Sequence, residues 1–334
     1  MKILKELKTD LFQAIRANLI FIAILSVILG LEVFELDYSV YSPGGLINVD
    51  ERISNREYKS TGSFNMTYVT YRKGSILNLL IAKILPTHDI IKNEDITLSN
   101  EDINDMMNRD NIQILEAVSN ATLISYNEAG KKVDVTKEFD YIYYIDPQAN
   151  TTLKVGDLIT ACDDKSIVNY SDVFSCVQSH NIGEEVNIKV LRNNREITTT
   201  SKVNDNNIIG VVIKRIFSYD LDPKMSYKYD KNESGSSGGL MLALSMYNSM
   251  VEEDITKGMK IAGTGTIELD GTVGEISGIK YKIKGAVKNK VDLFIVPEDN
   301  YEEAKQVIDE NGFNIKLLRA STFEQVLNDL KNYN

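Results

Sequence analysis

The chain has 334 residues, of which 43% are hydrophobic and 25% are charged, proportions that are ordinary for a folded globular protein. Its formal net charge of −11 at pH 7 argues against nucleic acid as a partner, because binding to phosphates depends on clustered lysine and arginine. The length allows two or three domains.

The two cysteines, Cys162 and Cys176, are too few for a disulfide framework and lack the spacing of a zinc site. Cys162 falls in a strand-like run and Cys176 in an amphipathic helix pattern, so we expect two buried free thiols rather than a disulfide. No His-Glu-x-x-His motif occurs, which argues against a zinc peptidase. We expect neither a metal nor a cofactor.

Residues 19–31 read LIFIAILSVILGL, an apolar run without a charge. It is shorter than the roughly 20 residues of an ideal membrane-spanning helix, but apolar residues upstream lengthen it and Arg16 can snorkel. No signal-peptidase site of the A-x-A type follows. We therefore interpret residues 1–34 as a cytoplasmic tail and an uncleaved transmembrane signal-anchor.

Charge is unequal on the two sides of this run. Basic residues precede it and acidic residues follow it: Lys2, Lys5, Lys8 and Arg16 before, Glu32, Glu35 and Asp37 after. By the positive-inside rule, this asymmetry predicts a single-pass protein of the cell membrane whose C-terminal domains are extracytoplasmic.

Residues 35–130 combine a strand pattern of period two, SFNMTYVTY, with a helical stretch, DNIQILEAVSNATLISYNEA, that Gly130 ends. No chemistry is evident there, and we interpret this region as an α/β scaffold. Residues 131–205 continue with TTLKVGDLITACDDKSIVNYSDVFSCVQ and two further strands. A turn at Asp163-Asp164-Lys165 and a helix around Asp172 to Gln178 are predicted.

This order of strands and helix resembles a PDZ domain, with Leu153 to Ile159 at the place of the family's L-x-x-G-D-x-I motif. The resemblance implies that an extended peptide binds by adding a strand to a sheet edge. A β-rich packing module that binds no peptide is the alternative.

Residues 232–240, NESGSSGGL, lead directly into the apolar stretch LMLALSMYNSM. A flexible linker has such a composition, but so has a tight turn that lets a substrate approach a hydroxyl. Two further segments follow, TGTIELDG from Thr264 and GIKYK from Gly278. The three segments, in this order, resemble the proteolytic domain of Lon proteases, and the membrane-anchored Lon-like proteases with a PDZ domain more closely still.

The resemblance implies a Ser-Lys dyad. It assigns the nucleophile to Ser237, within Gly235-Ser236-Ser237-Gly238, and the general base to Lys282, with Thr264 holding the lysine. The family has proline at Ser236 and alanine at Gly238, and its upstream acid is shifted or replaced at Asn232-Glu233. These departures keep open a second hypothesis, a catalytically inactive membrane-anchored PDZ scaffold.

Physical reasoning favours a lysine base. A serine hydroxyl needs an adjacent base, and the two histidines stand in contexts that do not suggest a Ser-His-Asp triad. Burial can lower the pKa of a lysine towards neutrality. Helical periodicity puts Lys284 and Lys288 on the wet face, whereas Lys280 and Lys282 both flank the apolar stripe, so periodicity leaves these two open. Small residues one turn after Lys282 leave space for its side chain, whereas Lys280 meets the like charge of Lys284 there, and the resemblance then decides for Lys282.

No G-x-x-x-x-G-K-[ST] phosphate loop occurs in the sequence, so we expect ATP-independent cleavage. The predicted fold is mixed α+β, with a signal-anchor (1–34), a scaffold (35–130), a PDZ-like domain (131–205) and a Lon-type α/β proteolytic domain (206–334). The predicted function is a membrane-anchored serine endopeptidase for extracytoplasmic peptides or unfolded proteins. The resemblance suggests secreted signalling peptides among the substrates and leaves a homo-oligomer open.

Overall fold

The structure is a computed structural model that describes residue 13, residues 15–230 and residues 232–333. Its helices are α1 (Leu19–Val33), α2 (Ile76–Ile84), α3 (Ile103–Glu128), α4 (Tyr170–Gln178), α5 (Gly239–Asn248), α6 (Ile279–Lys288), α7 (Tyr301–Asn311) and α8 (Phe323–Lys331). Its strands are β1 (Glu35–Asn48), β2 (Ile53–Ser54), β3 (Ser63–Ser75), β4 (Asp89–Lys92), β5 (Lys132–Ile145), β6 (Leu158–Cys162), β7 (Lys165–Ser166), β8 (Glu185–Arg192), β9 (Arg195–Lys202), β10 (Val211–Asp222), β11 (Ser226–Tyr227), β12 (Lys260–Gly263), β13 (Leu293–Pro297) and β14 (Lys316–Ala320).

The described residues divide into two compact units. The first contains the chain up to Pro43 together with Thr70–Ile96, and the second contains Gly44–Val69 together with the chain from Thr97 onward. Strands β1 and β3 therefore contribute residues to both units.

In the first unit, β1 pairs antiparallel with β4, from Tyr38 opposite Lys92 to Tyr41 opposite Asp89. Helix α2 begins at Ser75, whose hydroxyl accepts a hydrogen bond from the Asn78 N–H at 3.1 Å and caps the helix. Helix α1 buries none of its side chains within this unit.

Among residues 13, 15–230 and 232–333, no helix is both long enough and apolar enough to cross a membrane. Helix α1 has 15 residues. The transmembrane signal-anchor predicted within residues 1–34 therefore has no support from the described helices. Residues 1–12 and 14 of that prediction lie outside the described residues.

In the second unit, a parallel sheet has the strand order β14-β13-β12-β3. Its central strand β13 reads LFIVP and is buried along its whole length, as expected of a parallel strand that is covered on both faces. Helix α5 is equally apolar and all ten of its residues are buried. Sheet and helix form one hydrophobic core.

Helix α3 belongs to the same core. It starts at Asp102, which makes a capping box with Asp105, and the chain leaves it through Gly130 at φ +63°. Its Ala121 and Tyr126 pack in one cluster with residues of α5. The region predicted as a scaffold (35–130) thus supplies β3 and α3 to the core of the C-terminal part, and the domain boundaries at residues 130 and 205 remain predictions.

A second, antiparallel sheet has the strand order β10-β5-β6-β8-β9. The predicted turn is confirmed, since Asp163 and Asp164 have φ +44° and +64° and connect β6 to β7 as a two-residue hairpin. The predicted helix is confirmed as α4. This sheet follows the order of elements expected from residues 131–205.

The prediction of free thiols is wrong. Cys162 at the end of β6 and Cys176 on α4 form a disulfide, with their Cα atoms 6.3 Å apart. Each element was predicted from its local pattern, but no local pattern shows that α4 packs against β6. The bridge closes a short loop and holds α4 to the sheet.

Candidate active site

The predicted nucleophile, Ser237, lies in a turn directly before α5. Gly235 has φ +84°, a left-handed conformation that favours glycine, and its N–H donates to the carbonyl of Asp110 on α3 at 2.9 Å. Gly238 is the N-cap residue of α5. The turn therefore holds Ser237 at the N-terminus of a buried helix, as the small residues of the sequence indicate.

Thr264, directly after β12, connects this turn to the predicted lysine. Its hydroxyl donates to the backbone carbonyl of Ser237 at 3.0 Å and accepts from Lys282 Nζ at 3.0 Å. The N–H of Gly265 donates to the same Ser237 carbonyl at 2.8 Å. The structure thus brings Ser237, Thr264 and Lys282 together, with Thr264 between the other two.

Burial distinguishes the two lysines that periodicity left open. Lys282 is 3% exposed, on the face of α6 that also buries Ile279 and Ile283. Burial lowers the pKa of Lys282 to about 7. Lys280 is exposed, and its Nζ lies 5.0 Å from the centre of the Tyr281 ring. Only Lys282 combines burial with a hydrogen bond to Thr264, so it is the lysine that can act as a base near neutral pH.

Backbone N–H groups at the start of α5 can stabilise a negative charge by donating hydrogen bonds to it. The N–H of Gly239 donates to the Ser236 carbonyl and that of Leu240 to the Gly265 carbonyl, so both are already used. The N–H groups of Ser237 and Gly238 have no partner among the described residues. They are the donors that remain for an oxyanion, aided by the helix dipole.

The side chain of Met66 fills the space beside Gly238. Position 238 is the one at which the Lon family has alanine. A β-carbon placed on Gly238 would lie 2.9 Å from Met66 Sδ, which belongs to β3. On the other side of the turn, a β-carbon on Gly239 would lie 2.9 Å from Ile267 Cγ2. The turn is therefore packed tightly from two sides, and glycine at position 238 fits the methionine beneath it.

Sequence reasoning missed the residues that support the turn from outside the C-terminal segment. Asn120 on α3, which is 4% exposed, donates from Nδ2 to the Ile267 carbonyl at 2.9 Å. Thr67 on β3 donates to the Gly263 carbonyl at 3.1 Å. The period-two pattern of β3 could have indicated inward-facing residues, but no local signal marks Asp110 or Asn120 as neighbours of the site.

Comparison with known families agrees with this geometry. Residues 231–332 match the Lon protease (S16) C-terminal proteolytic domain, and residues 119–203 match the PDZ domain. The chain therefore contains a Lon-type proteolytic domain and a PDZ domain. The Lon-type segment includes the Ser237 turn, Thr264 and Lys282, whereas β3 and most of α3 lie outside both matched segments.

Similar proteins are Lon proteases. Lon protease 2 of Bacillus subtilis is 24% identical over 184 residues, which are 55% of this chain and 31% of that protein. Lon protease 2 of Borreliella burgdorferi is 28% identical over 98 residues, which are 29% of this chain and 12% of that protein. The chain thus spans less than a third of the length of either relative.

Proposed function

We propose that the chain is an ATP-independent serine endopeptidase in which Ser237 is the nucleophile and Lys282 the general base. The observation that carries this proposal is the buried Lys282 amine, which Thr264 links to the Ser237 backbone. The Lon-type domain supports it, because that family consists of serine peptidases. A lysine with a pKa of about 7 is partly neutral at physiological pH and can accept a proton.

The reaction follows from these groups. Neutral Lys282 accepts the proton of the Ser237 hydroxyl while Oγ forms a bond to the carbonyl carbon of the substrate. The negative charge that develops on the carbonyl oxygen is stabilised by the N–H groups of Ser237 and Gly238. Lys282 then donates the proton to the leaving amine, the peptide bond breaks, and water hydrolyses the acyl-enzyme in a second cycle of the same kind.

We infer that the PDZ domain, together with β10, which follows the matched segment, selects substrates at the outer edge of β10. Strand β10 is the terminal strand of its sheet. Val211 and Ile213 in its first half pack against the hydrophobic cluster that contains Val173 and Val177 of α4. At one end of α4, Gln178 and Asn207 exchange two hydrogen bonds of 2.8 Å. At the other end, the guanidinium carbon of Arg215 lies 4.7 Å from the centre of the Tyr170 ring. The space between helix and strand edge fits an extended peptide that adds a strand.

An exposed apolar side chain on the helix supports the same inference. Phe174 on α4 is 52% exposed. Toward the other end of β10, the Phe217 N–H donates to the Ser119 hydroxyl of α3 at 3.1 Å, which covers that part of the edge. The free part of the edge therefore lies before Phe217.

The experiment that tests the function is cleavage of peptides and of an unfolded protein by the full chain, read by mass spectrometry with and without ATP. We expect cleavage that ATP does not change. Phe174→Glu should raise KM several-fold for long peptides without changing kcat for a short fluorogenic peptide. Ile182→Glu, a matched change at a residue that is 57% exposed, should leave both constants unaltered.

An inactive PDZ scaffold is the second candidate function, which the departures at Ser236 and Gly238 motivate. It predicts that long peptides bind to the full chain without being cleaved, and that Phe174→Glu weakens this binding. Binding without cleavage under all conditions would favour the scaffold over the peptidase.

We propose further that the chain is held at a membrane with its folded part outside the cytoplasm. The charge asymmetry around residues 19–31 supports this orientation. The Cys162–Cys176 disulfide supports it independently, since disulfides persist in oxidising compartments. Helix α1 is exposed along its apolar length, for example at Ile20, which is 79% exposed.

Protease added to intact cells should digest the C-terminal domain, and a C-terminal tag should disappear before cell lysis. A cytoplasmic marker protein should stay intact in the same sample. A tag that is protected until lysis contradicts the outward orientation.

A further inference from the structure

Helix α3 lies between the antiparallel sheet β10-β5-β6-β8-β9, here called the PDZ sheet, and the candidate active site. Towards the site, the Asp110 carbonyl accepts from Gly235 N–H at 2.9 Å, and Asn120 donates to the Ile267 carbonyl at 2.9 Å. These two bonds hold the Ser237 turn and the loop that begins at Thr264. The segments that carry Ser237 and Thr264 therefore depend on where α3 lies.

Towards the PDZ sheet, α3 makes polar contacts along its length. Glu116 pairs with Lys214 of β10 at 2.7 Å. The Ser119 hydroxyl contacts the Tyr219 hydroxyl at 3.1 Å, besides accepting from Phe217 N–H. Strands β5 and β10 thus fix the position of a helix that in turn supports the nucleophile turn.

The side chain of Gln113 lies between the PDZ sheet and the Ser237 turn. Its Nε2 donates to the Tyr143 hydroxyl of β5 at 2.8 Å. Its Oε1 lies beside Gly235, only 4.0 Å from where a β-carbon of that residue would be. Gln113 is three residues after Asp110, so the two lie on the same face of α3. The side chain therefore lies beside the turn, near the point where the Asp110 carbonyl holds it.

We propose that Gln113 is a positioning residue for the Ser237 reaction and that the Tyr143 hydroxyl of the PDZ sheet holds it in place. The inference rests on the proposed function for its catalytic consequence. Within the described part of the chain, neither residue hydrogen-bonds to Ser237 or Lys282, so their effect passes through the backbone at Gly235. The PDZ sheet is thereby part of the support of the active site as well as a place for peptides to bind.

Tyr143→Phe removes the hydroxyl and keeps the ring, whose centre lies 5.4 Å from Lys214 Nζ. Tyr144→Phe is a matched control on the same strand, since its hydroxyl donates to the Ser99 carbonyl, away from the turn, at 3.3 Å. A lost neutral hydrogen bond corresponds to roughly a three- to tenfold effect. We expect kcat of Tyr143→Phe to fall by about this factor, with KM and the pH midpoint of the reaction unchanged.

Hydrogen exchange gives a readout that does not need activity. In the full chain, amides of residues 233–240 should exchange about three- to tenfold faster in Tyr143→Phe and in Gln113→Met than in the wild type, whereas Tyr144→Phe should match the wild type. Wild-type exchange in Tyr143→Phe overturns the inference. A wild-type chain without peptidase activity overturns the proposed function instead, and the exchange comparison still decides the role of Gln113.

Discussion

Ser237→Ala is expected to reduce peptide cleavage by the full chain by roughly 10³-fold or more, because it removes the only atom proposed to attack the substrate carbonyl. The alanine variant should still fold, since the contacts of the turn use the Ser237 carbonyl rather than its hydroxyl. Initial rates on a fluorogenic peptide and a thermal unfolding curve measure the two properties separately.

Neighbouring serines provide controls for this assignment. Ser234→Ala and Ser236→Ala change the same small-residue segment without removing the proposed nucleophile, so both should keep most of the activity. Lys282→Ala should be about as inactive as Ser237→Ala, and the double variant little worse than either, because the two residues act as a unit. Substantial activity in Ser237→Ala, or a Ser236→Ala variant without any, would overturn the choice of Ser237.

The pH dependence should follow the Lys282 amine. Only the neutral amine can accept the serine proton, and burial lowers its pKa to about 7. We therefore expect kcat/KM to fall as the pH drops below about 7 and to approach a plateau above it. A single ionisation with this midpoint agrees with a lysine base, whereas a limb that follows a carboxylate near pH 4 contradicts it.

Substitutions at Lys282 separate its chemistry from its packing. Lys282→Arg should be inactive, because arginine keeps its proton at these pH values. Lys282→Met should be equally inactive but at least as stable as the wild type near neutral pH. The folded lysine has a lower pKa than the unfolded one, so the stability lost through its burial grows as the pH falls from about 10 to about 7 and is greatest below about 7. Urea unfolding at pH 7 measures this difference.

The sequence predicted the local parts of the site because each is encoded in a short segment. Glycine at positions 235 and 238 indicated the turn, and the apolar stretch after Gly239 indicated the buried helix. The choice between Lys280 and Lys282 did not follow from periodicity, since both flank the apolar stripe of α6. Tertiary packing decides their environment: α6 approaches Gly44 closely at Gly285, where an added β-carbon would lie 3.3 Å from the Gly44 carbonyl oxygen.

Contacts between distant segments could not be predicted in this way. The bond from Gly235 to Asp110 and the bond from Asn120 to Ile267 each join residues that no shared pattern relates. The disulfide was missed for the same reason, because it depends on how α4 packs on β6. Residues 35–130 were interpreted as a scaffold without chemistry, yet their α3 contacts both halves of the candidate site.

Strands β3 and β12 pair in parallel, with Phe64 opposite Ile261. Because these strands are far apart in sequence, they leave the ribosome far apart in time. A nascent chain that ends before β12 has no partner for this edge of β3, and such unpaired edges are the surfaces that chaperones protect. Thr264 and Lys282 emerge later still, after β12. A growing chain therefore contains Ser237 before it contains the base or the sheet that buries that base. Under the proposed mechanism, cleavage therefore has to wait until the C-terminal sheet is complete.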